Sequence, residues 1–386
     1  MRGVARVTRR GAARWARGHP WIYRSDVIDP PSDEPGVVRV VDETGAFTGM
    51  ALWSPASTIS LRMLTHEERT IDASFWAERI DRAARYRDSL QIDASACRLV
   101  HAEADGIPSL VVDRFGDVLV AQLLSAGLEA HRGELVEVLR ERFRPAGILA
   151  RNDVPVRDYE NLPRSIELLW GTVPEELEVR EGPIRYLVAP WTGQKTGAFL
   201  DQRENRMRAG ALSAGRALDC FAYQGGFALH LAARADTVIA VDSSADALAR
   251  AEANARLNGF QHVRFVEANV FDFLRSEEEA GAQYDIIVLD PPAFAKRREN
   301  VPHALRGYKE INLRAMRLLA PGGYLCTFSC SYHVDRNLFR EMIESAAADV
   351  GRPFRWIESR GQALDHPEIV QIPETAYLKG AILQAL

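Results

Sequence analysis

The sequence predicts a multidomain chain of the α/β and α+β classes, with a β-rich start, a mixed centre and a doubly wound, Rossmann-like end. Its 386 residues are 47% hydrophobic and 26% charged, which is ordinary for a globular protein with two or three cores. Short apolar runs separated by turns fill the first part, whereas continuous apolar strands alternate with helical segments in the last. We therefore predict domains at 1–72, 73–185 and 186–386.

The elements of the first two domains follow from the spacing of their apolar residues. Residues 1–72 read as short strands and turns, which predicts a small β-barrel or sheet. The central domain combines helical spacing with a strand–turn–strand unit. The predicted segments are strands at 37–41, 49–53 and 60–64, a helix at 73–90, paired strands at 110–120, a helix at 129–143 and a hairpin at 179–188.

The last domain alternates five apolar strands with four helices, which predicts a mostly parallel sheet with helices on both faces. Such sheets bind ligands at the carboxyl ends of their strands, so the residues that follow each strand are the functional candidates. The strands are predicted at 217–219, 238–242, 263–266, 284–290 and 324–329, and the helices at 226–235, 246–258, 269–276 and 305–319.

Cysteine usage and hydropathy narrow the class of protein. The four cysteines, at 97, 220, 326 and 330, form no CxxC motif, so neither a disulfide scaffold nor a zinc site is expected. No run of about 18 apolar residues occurs, so no membrane span is expected. Free thiols fit a reducing compartment, and we predict a cytoplasmic location without a bound metal.

The first 24 residues carry seven arginines and no acid, although the whole chain has a net charge of −5. Aromatic residues, Trp15, Trp21 and Tyr23, stand among these arginines, and this composition favours contact with phosphates and stacking on bases. A transit peptide is the alternative, but no serine occurs before Ser25. The residues predicted to contact RNA here are Arg9, Arg10, Arg14, Arg17 and Trp21.

The first two strands of the last domain point to a nucleoside cofactor. Asp219 ends the first strand and is followed by a turn with Gly225 and Gly226, while Asp242 ends the second strand. An acid at the second position accepts hydrogen bonds from ribose hydroxyls, and the absence of a GxGxxG motif argues against a pyrophosphate. An acid before the glycines suits a ligand with an ammonium and a sulfonium, which together predict S-adenosylmethionine (SAM). Asn269, after the third strand, either contacts the adenine amine or simply caps a helix.

The fourth and fifth strands end in residues that suit methylation of a pyrimidine carbon. Asp290 precedes two prolines that fix the backbone, and Cys330 ends the neighbouring strand, whereas Cys326 is expected in the core. Carbon 5 of cytosine becomes nucleophilic only after a thiolate adds to carbon 6, and an acid near N3 stabilises the adduct. Enzymes that methylate nitrogen place an aromatic residue directly after the two prolines. Here Ala293 holds that place and Phe294 follows one residue later.

Taken together, these motifs resemble bacterial class I SAM-dependent methyltransferases that form 5-methylcytosine in large-subunit ribosomal RNA. The resemblance covers essentially the whole chain, and its most specific match is the run at 194–206, Gln-Lys-Thr-Gly-Ala-Phe-Leu-Asp-Gln-Arg-Glu-Asn-Arg. The other matching segments are 18–23 at the opening of an RNA-binding PUA domain, 103–117 in the central domain, 220–227, 290–294, 329–331 and 373–380.

The resemblance implies that Cys330 is the nucleophile, that Asp290 orients the base and that the protein is a homodimer. The product of the cofactor would be S-adenosylhomocysteine (SAH). We expect the segment from Lys195 to Arg206 to fix a loop over SAM and to contact the RNA. The predicted cofactor-binding residues are Phe199, Arg203, Asp219, Phe221, Gly225, Asp242, Asn269 and Asp290.

Three positions depart from the commonest family pattern: Gln224, Ala293 and Tyr332 replace threonine, lysine and glycine. None of them removes a catalytic group, but the last two bear on which nucleotide is modified. Two other functions remain open, an RNA N-methyltransferase on the same fold and a non-catalytic RNA-binding assembly factor.

Lysine is scarce, because only four of the 48 basic residues are lysines. All four lie in stretches that match the family. We predict that Lys195 and Lys296 neighbour the active site and contact RNA, and that Lys309 is structural. The fourth is Lys379.

Overall fold

The computed structural model describes residues 3–295 and 297–386, which form two compact units. The first unit contains residues 3–181, 188–200 and 364–375, and the second contains the rest. No helix in the described part of the chain is long and apolar enough to cross a membrane. The division into three domains with boundaries at 72 and 185 stays a prediction.

The N-terminal part of the first unit is a six-stranded sheet in the order β2-β6-β5-β4-β1-β3, in which β1 and β4 are parallel and the other neighbours antiparallel. Its bounds are β1 Val4–Val7, α1 Arg9–Ala16, β2 Trp21–Tyr23, β3 Val27–Asp29, β4 Gly36–Val41, β5 Phe47–Trp53 and β6 Ile59–Thr65.

Helix α1 corrects the prediction that residues 1–72 contain only strands and turns. Thr8 caps this helix, since its side chain accepts a hydrogen bond from the backbone N–H of Gly11. Trp15 then buries its ring on the apolar side of the helix and is 1% exposed. The arginines that surround Trp15 hid this short amphipathic pattern in the sequence.

A five-stranded sheet in the order β11-β10-β9-β8-β7 forms the central part of the same unit. One core joins it to the N-terminal sheet, because Leu52 and Leu64 pack in the same cluster as Phe75, Leu110 and Leu119. The bounds are α2 Ala73–Ser89, β7 Ala96–His101, β8 Leu110–Phe115, β9 Val118–Leu123, α3 Ala126–Glu129, α4 Arg132–Phe143, β10 Gly147–Arg151, β11 Ile166–Gly171 and β12 Leu177–Glu181. The next strand, β13 Ile184–Val188, lies mostly in the second unit.

The second unit is built on a seven-stranded sheet in the order β16-β15-β14-β17-β18-β20-β19. The first five strands of this order are mutually parallel, as predicted, and β20 runs antiparallel to both neighbours. The bounds are α5 Arg203–Leu212, β14 Arg216–Cys220, α6 Gly226–Ala232, β15 Thr237–Asp242, α7 Ala245–Leu257, β16 Val263–Glu267, α8 Val270–Glu279, β17 Tyr284–Leu289, α9 Val301–Leu318, β18 Leu319–Ser329, α10 Arg336–Val350, β19 Phe354–Arg360 and β20 Lys379–Ala385.

Candidate methyl-transfer site

Three neighbouring strands of the second unit deliver the predicted catalytic residues to one edge of the sheet. β14, β17 and β18 are parallel, and the Cα register pairs Cys220 with Leu289 and Leu289 with Thr327. The loops that begin at Asp290 and at Cys330 therefore leave the sheet side by side. This is the carboxyl edge, where doubly wound sheets bind their ligands.

Asp219 lies within β14, fully buried, one residue before the strand ends. Its Oδ2 accepts a hydrogen bond of 2.8 Å from the backbone N–H of Ala228, and its Oδ1 has no hydrogen-bond partner among the described residues. Burial raises the pKa of this carboxyl well above its usual range, and the negative charges of Asp290 and Asp242 raise it further. An unsatisfied buried carboxylate oxygen fits a cationic ligand group such as the ammonium of SAM.

The loop after β14 is held in an unusual conformation. Phe221, Tyr223 and Gly225 have φ values of 65°, 48° and 83°, which are rare for the first two residue types. Asp242 stabilises this loop, because its Oδ2 accepts a hydrogen bond of 2.8 Å from the backbone N–H of Tyr223. The other oxygen of Asp242 accepts one from the N–H of Ser244. Asp242 thus shapes the loop after β14, and its contact with ribose hydroxyls stays a prediction.

The glycine pair at the start of α6 also serves packing within the protein. A Cβ on Gly225 would lie 3.0 Å from the Cβ of Ala251, and one on Gly226 would lie 2.9 Å from the Cδ of Arg206. Gly225 also needs its positive φ. The two glycines therefore permit close approaches of α7 and α5, and a close approach of a ligand stays a prediction.

Asn269 caps helix α8, which is one of the two roles that the sequence leaves open for it. Its Oδ1 accepts a hydrogen bond of 2.9 Å from the backbone N–H of Phe271 at the start of α8. The side chain is exposed at the same sheet edge. A contact with adenine stays a prediction.

A relay of amide side chains positions Asp290. Gln202 Nε2 donates to Asp290 Oδ1 at 2.8 Å, and Asn205 Nδ2 donates to Gln202 Oε1 at 2.6 Å. Arg360, on β19, in turn donates from Nε to Asn205 Oδ1 at 2.9 Å. Gln202 and Asn205 were not predicted individually from the sequence, although both lie in the run at 194–206. Their spacing of three residues at a helix start was the available signal.

Cys330 is the half-buried cysteine at the end of β18, and its Sγ lies 4.0 Å from the carbonyl oxygen of Pro291. The two other cysteines of this sheet are unsuitable as nucleophiles. Burial raises the pKa of the Cys326 thiol to about 12 and that of Cys220 well above its ordinary value. The sheet therefore places one accessible thiol beside the Asp290 loop.

The segment after Asp290 is anchored in the protein interior. Phe294 packs against Tyr308 with ring centroids 4.6 Å apart, and against Phe221 and Phe271 at 6.4 and 6.0 Å. Ser331 Oγ lies 2.9 Å from the Tyr308 hydroxyl and accepts a hydrogen bond from the Ala295 N–H. Phe294 is thus engaged in packing, which disfavours a role in holding a target base.

The remaining predicted cofactor and RNA residues of the 194–206 run are divided between the units. Lys195 and Phe199 belong to the first unit, where the Lys195 Nζ lies 4.3 Å above the Phe199 ring. Arg203 begins α5 in the second unit and forms an ion pair with Glu204 at 2.7 Å. Their contacts with SAM or RNA stay predictions. Lys296 lies outside the described residues.

Helix α1 presents the predicted RNA-binding arginines on the first unit. Arg10, Arg14 and Arg17 line a cavity of about 310 Å³ together with His19 and Gln371. Arg9 is also exposed. Within the described part of the chain no acidic residue lines this cavity, so it is a basic recess suited to phosphate.

The aromatic residues of this region divide into core and surface. Trp15 was expected among the stacking aromatics, but its ring is buried and its indole N–H donates to the carbonyl oxygen of Pro20. Trp21 is half-buried, and its indole N–H donates to Glu103 Oε1 at 2.9 Å. Tyr23 carries the guanidinium of Arg14 at 4.5 Å from its ring centroid.

Comparison with known proteins places the chain in a family. Residues 5–66 match the PUA-like domain, and residues 122–378 match the S-adenosylmethionine-dependent methyltransferase family. A ribosomal RNA large subunit methyltransferase I of Shewanella amazonensis is 43% identical, with 95% of each chain covered, and one of Tolumonas auensis is 42% identical, with 96% covered. The chain belongs to the ribosomal RNA large subunit methyltransferase I family. The predicted PUA-like and methyltransferase parts of the fold, and SAM as the cofactor, are thereby confirmed for this member.

Solved structures share the architecture of this methyltransferase family member over its full length. A candidate SAM-dependent methyltransferase from Streptococcus mutans superposes with a TM-score of 0.83 at 20% identity, covering 99% of both chains. A candidate methyltransferase complexed with SAH gives 0.85 at 21% identity, again over 99% of both. At these identities the likeness supports the fold.

Proposed function

We propose that this chain methylates carbon 5 of a cytosine in large-subunit ribosomal RNA, with Cys330 as the nucleophile. The observation that carries the proposal is the position of Cys330, half-buried at the end of β18 and 4.0 Å from the Pro291 carbonyl oxygen, beside Asp290. A SAM-dependent enzyme that methylates nitrogen has no use for such a thiol. The relatives named as ribosomal RNA large subunit methyltransferase I support the RNA substrate.

The cofactor would be held by the loops after β14, β15 and β16. Asp219 offers its unsatisfied oxygen to the ammonium, Asp242 accepts from the ribose hydroxyls, and Asn269 faces the adenine. When bound, SAM supplies an electrophilic methyl group. Phe221, next to Cys220 in the strained loop, and Gly225 shape the wall of this site.

The reaction on the base then follows from the two strand-end residues. The Cys330 thiolate adds to carbon 6 of an extruded cytosine, and carbon 5 gains the electron density to take the methyl group. Asp290, which Gln202 holds by a hydrogen bond, acts as a carboxylic acid that donates to N3 and so stabilises the adduct. Loss of the proton on carbon 5 expels the thiolate and restores the ring.

Cys330→Ala tests the nucleophile, with Cys97→Ser as the matched control on β7. Methyl transfer to rRNA from cells lacking the gene should fall below about one-thousandth of wild type for Cys330→Ala and stay unchanged for the control. SAM binding by calorimetry should survive in both variants. Full activity of Cys330→Ala would support the N-methyltransferase instead, and failure of the wild type to bind SAM would support the non-catalytic assembly factor.

We propose further that the α1 recess holds RNA phosphates. Replacement of Arg10, Arg14 and Arg17 by glutamine should weaken RNA binding at all sequences. The slope of log affinity against log salt should become shallower by about 0.9 for each phosphate that the variant no longer neutralises. Arg340→Gln, on the exposed side of α10, is the control. An unchanged salt slope in the triple variant would exclude the recess.

The homodimer implied by the resemblance stays a prediction. Sedimentation of the purified protein would test it.

A further inference from the structure

Lys379, the first residue of β20, is a buried lysine next to Cys330 with no role in the mechanism so far. Only 4% of its surface is exposed. β20 pairs antiparallel with β18, and the register sets Lys379 opposite Ser329. The Lys379 Nζ donates at 2.6 Å to the carbonyl oxygen of Ser331 and at 2.9 Å to that of Tyr377. The ammonium therefore holds by a hydrogen bond the backbone of Ser331, the residue directly after Cys330.

The charge of Lys379 has no carboxylate partner among the described residues, since both hydrogen bonds of its Nζ go to neutral carbonyls. The acid whose charge acts on it, Asp335, is exposed and accepts hydrogen bonds from the N–H groups of Asn337 and Leu338 as the cap of α10. A buried cation without a counter-ion is costly, so an anion nearby would offset the cost.

The groups that face Lys379 identify that anion. Burial lowers the pKa of Lys379 to about 8, the negative form of Cys330 and the carboxylate of Asp335 oppose this, and Arg336 adds to it. Tyr308, on α9, has its hydroxyl 2.9 Å from Ser331 Oγ, and its pKa is raised by burial and by the negative form of Cys330. Among these groups, Cys330 is the one that the proposed reaction requires as an anion.

We propose that Lys379 is a positioning residue for Cys330, whose ammonium fixes the Ser331 carbonyl and stabilises the Cys330 thiolate. The inference rests on the proposed function for the use of that thiolate. On ionisation near neutral pH the thiol proton passes to solvent, and Lys379 keeps its own proton, because its pKa is about 8. Lysine suits the place because a compact ammonium reaches two carbonyls in a buried pocket, where a planar guanidinium is larger.

Alkylation of Cys330 by iodoacetamide measures this effect without RNA or SAM. The rate is followed by mass spectrometry of the Cys330 peptide from pH 6 to pH 9.5, in the Cys97→Ser background. In otherwise wild-type protein the rate should rise with a midpoint below the ordinary cysteine pKa of about 8.5. Lys379→Met should move the midpoint upward and slow alkylation at pH 7 about tenfold, since loss of a neighbouring cation raises the pKa of a thiol by about one unit.

Lys379→Arg is the matched variant, because it keeps the charge and changes the shape. It should retain a midpoint nearer to wild type than Lys379→Met does. Superimposable pH profiles of wild type and Lys379→Met would overturn the proposal, as would a uniform slowing without a shift in midpoint. If Lys379→Met fails to fold, the wild-type profile still decides, because a midpoint at or above the ordinary value overturns it. Activity in Cys330→Ala would instead refute the proposed function and leave the alkylation result standing.

Discussion

Buried charges are treated differently in the two units. In the first unit, guanidinium groups neutralise two buried carboxylates: Arg62 pairs with Glu160 at 2.7 Å, and Arg98 pairs with Asp113 at 2.6 Å. In the second unit, Asp219 is equally buried, but its Oδ1 has no partner among the residues that the structure describes. The Lys379 ammonium likewise bonds to carbonyls rather than to a carboxylate. The two paired carboxylates of the first unit fit a structural role, whereas the unsatisfied oxygen of Asp219 supports the proposed ligand site.

The largest effect is expected from breaking a complete pair. Arg62→Met leaves Glu160, whose side chain is 1% exposed, buried without its cation. The free energy of unfolding in urea should fall by about 3–5 kcal/mol. The Arg82–Glu78 pair on α2 is exposed, so Arg82→Met should change the free energy of unfolding by at most about 0.5 kcal/mol. Equal losses in both variants would contradict the structural role assigned to buried pairing.

The incomplete pairing of Asp219 predicts a loss of ligand affinity rather than stability. Asp219→Asn should weaken SAM binding by about 2–3 kcal/mol, or about 30- to 160-fold, because a charge-assisted hydrogen bond is lost. Its melting temperature should not fall, since a neutral amide is easier to bury than a carboxylate. Asp246→Asn, on the exposed first turn of α7, is the control for calorimetry.

The pH dependence of SAM binding provides a second reading of Asp219. Its pKa is raised by burial, so acidification protonates it at a higher pH than an ordinary aspartate. In the wild type, the affinity for a cationic ligand should therefore decrease as the pH is lowered through that raised pKa. Asp219→Asn should lack this dependence, and identical pH profiles would argue against a contact with the ammonium.

The pH dependence of stability at Lys379 should have the opposite sign to that of a lysine paired with a carboxylate. Its pKa is about 8 when folded and 10.5 in its ordinary state, so between these values the unfolded chain binds more protons. The stability of wild type relative to Lys379→Met should therefore rise with pH, by about 2 kcal/mol from pH 7.5 to pH 9.5. Urea unfolding of both proteins at the two pH values measures it. A flat difference would mean that the lysine titrates normally.

The smallest effect is expected from the relay that orients Asp290. Gln202→Ala removes the 2.8 Å hydrogen bond to Asp290 Oδ1 without touching the thiol. Turnover should fall about tenfold, as for about 1.4 kcal/mol, while the Kd for SAM changes little. Gln261→Ala, at an exposed position before β16, should have no effect on either. A change confined to SAM affinity would place Gln202 in cofactor binding instead.

Local patterns carried much of the fold prediction. Continuous apolar strands are readable in the sequence, and so is the helix cap at Asn269 before α8, because these patterns act over a few residues. Several elements were not predicted from the sequence, among them α1, α5, α10, β19 and β20. β20 is recognisable only through its pairing with β18, and α1 is stabilised by burial of Trp15 rather than by strong helical periodicity.

The order of the chain by itself determined the strand ends, and with them Asp219, Asp242, Asp290 and Cys330 as candidates. Only the tertiary structure decided which atoms of these residues are already satisfied: Asn269 and Asp242 accept backbone N–H groups, while Asp219 keeps an oxygen that no described residue contacts by a hydrogen bond. It also brought Gln202 to Asp290 and Lys379 to the backbone after Cys330, from 88 and 48 residues away. Periodicity is a local property, but desolvation and pairing of charges depend on which strands become neighbours.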